Sequence, residues 1–231
     1  MVTSDSSIQK ELTNTLCLGN SSCFASGPSP PIINSPPCTN TIPFLIFFSL
    51  SFELTLSSEP IAAGLPEGEI NVVGDSLPEY AGENDDNVAL GLAAPTFSAP
   101  DQNSEIFQLE KNGNSKALLF LAHWCPHCQR EVPVVQRFID SNGVPPGIDV
   151  IAVATSIDRG RDNYPPQEWL KREGWSEAQI YDLDREIGEA YGLNAFPYWV
   201  FLDKDLNVLA RRTGNLPEDM VGALLIQLAN Q

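Results

Sequence analysis

A three-layer α/β sandwich around a mixed sheet is predicted for residues 91–231 by three observations: two continuous apolar runs, amphipathic stretches between the strand candidates, and a closing hairpin followed by a last helix. Ala117 to Ala122 is an unbroken apolar run ended by polar residues, the pattern of a strand covered on both faces. A helix is expected from Pro126 to Ile139, with Val132, Val135 and Ile139 at helical spacing on one side and Pro133 bending it. Asp149 to Thr155 is a second buried strand after a Gly/Pro loop. Pro165 and Pro166 introduce a helix over Gln167 to Glu173; a short strand near Ile180 to Leu183 and a helix over Asp184 to Tyr191 follow. Tyr198 to Leu202 and Val208 to Arg211 flank a polar turn as a hairpin, and a final helix spans Pro217 to Asn230. No internal repeat is present.

The rest of the 231-residue chain is different material. Residues 1–110 hold one Lys and 14 acids, whereas residues 111–231 hold 12 Lys+Arg and 16 acids, within a total net charge of −17. That acidity makes nucleic acid a poor partner. Residues 1–66 read as a disordered prefix, rich in Ser, Asn, Thr and Pro. Within it, residues 42–56 are a candidate signal or anchor: the apolar run Ile42 to Phe52 has the length of a signal-peptide core, and Ala62 and Ala63 offer small residues for cleavage. Lys10 is the one preceding cation and the run is short of the roughly 20 residues of a membrane span, so an irregular tail or an upstream start is the competing reading. Residues 67–90 carry seven acids between Glu67 and Asp86 and read as an acidic tether.

Five cysteines are too few for a disulfide scaffold, and Cys17, Cys23 and Cys38 lie in the irregular prefix. Cys125-Pro126-His127-Cys128 is the pair with chemistry. It stands at the junction of a core strand and a helix, where two residues three apart share a helical face within reach of a disulfide. The helix N-terminus supplies free N–H groups and positive dipole charge that stabilise a thiolate at Cys125, making it the nucleophile. Cys128, one turn deeper, is then the resolving thiol. His127 can donate a hydrogen bond or place positive charge beside Cys125; Trp124 shields the motif. Glu131, one turn after Cys128, can take a proton from it, or is simply a solvated helix residue. His123 reads as a loop residue beside the site, and Trp169, Trp175 and Trp199 as packing. No metal is expected, because His123, Cys125, His127 and Cys128 crowd six residues and lack a second ligand pair. Gln129 stands where haem attachment needs His.

Trp124 to Cys128, Pro133, and Phe196-Pro197 before the hairpin resemble the thioredoxin superfamily. The spacing W-C-x-x-C-x-x-E-x-P from Trp124 to Pro133, with the opening Gly91 to Phe97, is similar to the TlpA/ResA branch of exported, often membrane-tethered thiol-disulfide oxidoreductases. The resemblance spans about Gly91 to Asn230. It implies a thioredoxin-like fold, a cis Pro197 facing the active-site pair, substrate contacts at Phe196 and Pro197, and Cys125, Cys128, Glu131 and Pro197 as the catalytic set, tuned by Trp124, Pro126 and His127. It implies no cofactor, protein thiols or disulfides plus a redox donor or acceptor as partners, a monomer, and an extracytoplasmic location. Leu119 replaces the acid that thioredoxin itself carries on the preceding strand, leaving that role to Glu131. The Pro-His dipeptide resembles DsbA oxidants, so the direction of reaction stays open. Two alternatives remain. A redoxin-type thiol peroxidase would need Pro and Thr where Leu118 and Ala122 stand; a non-catalytic binding module would not need both cysteines.

Overall fold

The computed structural model describes residues 64–82 and 88–231. The signal or anchor candidate at 42–56 and Cys17, Cys23 and Cys38 lie outside the described residues.

Eight strands and four helices follow in order: β1 (Asn71–Val73), β2 (Thr96–Pro100), β3 (Ile106–Gln108), β4 (Ser115–Leu121), α1 (Pro126–Asn142), β5 (Ile148–Ala154), α2 (Pro166–Arg172), β6 (Ala178–Tyr181), α3 (Glu186–Ala190), β7 (Tyr198–Leu202), β8 (Val208–Thr213) and α4 (Glu218–Ala229). The main sheet has the order β6-β5-β4-β7-β8, with β4, β5 and β6 parallel and β7 and β8 antiparallel. It is therefore a mixed sheet, and every element expected from residue 115 onward is present within a few residues of its expected bounds.

Alternation along the central strands divides the core in two. Ala117, Leu119 and Leu121 of β4 join Trp199 and Phe201 of β7 on the side covered by α1 and α4. Leu118 and Phe120 join Tyr198, Val200 and Leu202 on the side covered by α3 and the N-terminal strands. Because successive side chains of a strand face opposite ways, an apolar run with no polar alternation fills both layers at once.

The expected tether at 67–90 and the expected domain start at 91 need correction. β1 pairs antiparallel with β2, and β2 with β3, forming a second three-stranded sheet. Leu77 and Tyr80 are buried in the second core layer. The Leu77 and Tyr80 N–H groups donate to the carbonyls of Ala190 and Gly192 at 2.8 and 2.9 Å. Gly192 permits this approach: its φ is +71°, and a Cβ there would lie 2.3 Å from the Pro78 oxygen. Glu67, Glu69, Asp75 and Glu79 face outward, and a few inward apolar residues suffice to dock the segment. The helix α1 also continues unbroken through Pro133, to Asn142 rather than Ile139.

Candidate active site

The β4 run ends at Leu121 and the chain turns through Ala122 and Trp124 into α1. Cys125 caps that helix with extended backbone (φ −77°, ψ 120°), and Pro126 occupies its first turn, where a missing N–H costs nothing. No acidic side chain sits in that first turn to compete with a thiolate. The two thiols differ in access. Cys125 is 8% exposed and Cys128 is fully buried, and both are free thiols. Burial pushes the Cys128 thiol far above its ordinary value, and the neighbouring Cys125 and Glu131 push the same way against an N–H donated by Ala122 at 3.4 Å.

Glu131 is not a solvated helix residue; it is fully buried. Its Oε1 accepts from Trp199 Nε1 at 2.9 Å, and its Oε2 from the Leu216 N–H at 2.9 Å and Asn215 Nδ2 at 3.0 Å. Three donors are enough to hold a carboxylate inside the core, and Oε1 keeps a lone pair for a proton. Trp199 packs in the core as the sequence predicts, and its indole N–H also helps build the carboxylate site. Asn215 carries no sequence signal as a site residue. Its Nδ2 also donates to the His127 carbonyl at 2.7 Å, and its Oδ1 lies 3.0 Å from His127 Nδ1. Arg130 Nη2 stands 3.0 Å from the same ring nitrogen, so His127 bonds Asn215 when Nδ1 carries a proton and Arg130 when it does not. No spacing signal links Asn215 to a motif 88 residues earlier.

His123 is also more than a loop residue. The ring is fully buried, its Nδ1 is 2.8 Å from the Asp162 carbonyl, and its Nε2 accepts the Asp158 N–H at 3.1 Å. The acceptor role at Nε2 assigns the proton to Nδ1, and burial holds the imidazole below its ordinary proton affinity, so the ring is neutral. With both nitrogens committed to backbone, His123 is not a metal ligand. Among the described residues no three His, Cys, Asp or Glu side chains converge on a point that could hold a metal ion. Trp124 Nε1 donates to the Ser156 carbonyl at 2.9 Å, and the Phe196 ring meets the indole edge-on at 6.2 Å. The Phe196–Pro197 peptide bond is cis. The Pro197 carbonyl accepts the Gly214 N–H, whereas among the described residues Phe196 N–H and C=O make no internal hydrogen bond. The structure thus gathers Trp124, Cys125, His127, Cys128, Glu131, Phe196 and Pro197 at one end of the main sheet.

The Redoxin family matches residues 89–225, more than half of the chain. The chain belongs to the Redoxin family. Its relatives include the thiol-disulfide oxidoreductase ResA of Bacillus subtilis, 25% identical over 146 residues that cover 62% of this chain and 76% of ResA. The methylamine utilization protein MauD of Paracoccus denitrificans is 28% identical over 152 residues, covering 64% and 71%. Among solved structures, a thioredoxin-family thiol:disulfide interchange protein of Chlorobium tepidum superposes with a TM-score of 0.52 at 18% identity, covering 60% of this chain and 97% of that one. The fold of this redoxin is thioredoxin-like, an α/β sandwich with a mixed central sheet, and the protein is a thiol-disulfide oxidoreductase of the ResA/TlpA type.

Proposed function

We propose that this redoxin reduces or exchanges disulfides in exported proteins through Cys125 and Cys128. The difference in burial between the two thiols carries the reading: Cys125 at the helix start keeps 8% exposure, and Cys128 one turn beneath it has none. The Cys125 thiolate attacks one sulfur of a substrate disulfide, forming a mixed disulfide and expelling the other substrate sulfur as a thiolate that takes up a proton. Cys128 then loses its proton, attacks Cys125 Sγ, and releases the second substrate thiol; two electrons have passed to the substrate and the enzyme holds a Cys125–Cys128 disulfide. Because burial disfavours the Cys128 thiolate, this second step needs a base, and Glu131 is positioned for it one turn away. A partner dithiol returns the two electrons.

Phe196 and Pro197 present backbone to an extended substrate chain, with Trp124, Pro126 and His127 shaping access to Cys125. The peroxidase alternative lacks support: Leu118 and Ala122, at the positions where that chemistry needs polar donors, are buried and apolar. An extracytoplasmic location is supported by the apolar run Ile42 to Phe52 and by the resemblance to an exported branch. A fusion of residues 1–90 to a reporter active only after export should be active; a reporter retained in the cytoplasm would remove that location.

Trapping tests the chemistry. Cys128→Ser should accumulate a mixed disulfide with a protein or peptide disulfide substrate, joined through Cys125. Recovery of the adduct on any other cysteine, or no adduct at all, would overturn the assignment.

A further inference from the structure

The loop between β5 and α2 is tied to the redox motif more closely than a connection requires. Ser156 and Asn163 adopt left-handed backbone (φ +51° and +62°) at its two ends. Between them the chain is pinned by the Trp124 indole on the Ser156 carbonyl, by both nitrogens of His123 on Asp158 and Asp162, and by Asn163 Nδ2 on the His123 carbonyl at 3.4 Å. Arg172 holds Asn163 from α2 at 2.8 Å. The arm so fixed carries two guanidinium groups. That of Arg161 lies 4.4 Å over the Trp124 ring, one residue from Cys125, and that of Arg159 lies 6.0 Å over Tyr164.

These cations are weakly occupied. Arg161 is 53% exposed and its ion-pair partner Asp158 is 3.8 Å away and 55% exposed, a pair that binds the guanidinium loosely. One oxygen of Asp158 is already taken by the Gly160 N–H at 2.9 Å. Arg159 forms no ion pair among the described residues; Asp162, the other acid of the loop, bonds His123 through its backbone carbonyl and keeps an exposed carboxylate that forms no ion pair there either. Arg130, beside His127, adds a third guanidinium at the motif. In a chain with 30 acids and 13 Lys+Arg, the loop is neutral, its two arginines matched by Asp158 and Asp162, and it sets the Arg161 guanidinium against Trp124 next to Cys125.

We propose that the loop 156–164 is a substrate-recognition arm, with Arg161 and Arg159 receiving carboxylates of an acidic segment that flanks the substrate cysteine. The proposal rests on the thiol-disulfide chemistry assigned to Cys125 and adds the class of substrate. A guanidinium offers paired N–H donors that match a carboxylate, and a loop already fixed in place loses little freedom when the partner arrives. The overall negative charge opposes an acidic partner at long range. Discrimination therefore acts at contact distance and persists at physiological salt, where the Debye length is about 8 Å.

The test uses the reduced full-length protein and two peptides of identical length, each carrying one cysteine as a disulfide with the same neutral thiol. One has Asp on both sides of the cysteine and the other Lys. At about 0.15 M salt, the acidic peptide should react faster, by roughly threefold per carboxylate engaged. Arg159→Gln and Arg161→Gln should each lower the ratio of acidic to basic rates, and Arg159→Glu combined with Arg161→Glu should invert it. The ratio cancels any general loss of activity, and Arg159 makes none of the hydrogen bonds that pin the loop, so its variant also covers the case in which an Arg161 variant misfolds. Equal rates, a faster Lys peptide, or a ratio insensitive to both arginines would overturn the recognition arm and leave the redox chemistry standing. Failure of both peptides to react would overturn the chemistry and the arm together.

Discussion

Replacing His123 with alanine should loosen the loop 156–164 and cost the fold a measurable amount. The ring is fully buried and bonds the Asp162 carbonyl and the Asp158 N–H at 2.8 and 3.1 Å. Both partners belong to residues whose side chains face water, so their backbone groups can rehydrate once the loop moves, and each lost bond costs about 1 kcal/mol. The space left by the ring adds about 1–2 kcal/mol if the core does not close over it. The sum is about 2–4 kcal/mol, readable as a lower urea midpoint at unchanged slope. The same side chain should shape the pH dependence. Burial lowers the proton affinity of His123 in the fold, so on acidification the unfolded chain binds its proton first, near pH 6.5. The stabilisation is complete above that pH, declines as pH falls toward the folded-state value, and levels off once both states are protonated. His123→Ala should lack this component, so the gap between wild type and variant should narrow on acidification. A loss below about 1 kcal/mol, or pH profiles that run parallel from neutrality to pH 5, would refute the neutral clamp.

Trp199→Phe keeps an aromatic ring stacked near Phe201 but removes one of three donors to a buried carboxylate; it should destabilise by about 1–3 kcal/mol in urea unfolding. It should also slow release of substrate from the mixed disulfide more than formation of the adduct, whereas equal slowing would mean that Glu131 does not serve Cys128. Gly192→Ala places a methyl group against the Pro78 carbonyl at a φ that disfavours side chains, so residues 77–80 should detach and become cleavable by proteases that spare the wild type. Resistance equal to wild type would mean the docking is incidental. Burial opposes ionisation of Asp149, but hydrogen bonds from Lys116, Asn112 and Asn114 outweigh it and hold the carboxyl below its ordinary value. Its contribution is present above pH 4 or so and lost as pH falls through the lowered folded value; Asp149→Asn should therefore be less stable than wild type at neutrality and approach it in acid.

The parts of this fold that are legible in the sequence are those written by many residues at once. Seven consecutive buried positions in β4 and five in β5 leave no other reading, and a CxxC placed after the first of them locates the site. β1, β2 and β3 span three to five residues, with few inward positions each, and their acidic neighbours hide them in any count of charge. Glu131 was legible as a candidate but its burial was not, because two of its three donors, Asn215 and Leu216, arrive from the far end of the chain. The clamp by His123 was illegible for a different reason. It grips backbone groups of Asp158 and Asp162, which every residue possesses, so no side-chain pattern announces it.

Equilibration of the full-length protein with graded mixtures of a reduced and an oxidised thiol measures the proposed reversible two-electron couple at Cys125 and Cys128. Alkylation of the free thiols followed by peptide mapping assigns the cysteines involved. One transition should appear, with the peptides containing Cys125 and Cys128 losing both labels together, and it should vanish in Cys125→Ser and in Cys128→Ser. Labels lost independently, or a transition that survives either substitution, would rule out a Cys125–Cys128 couple.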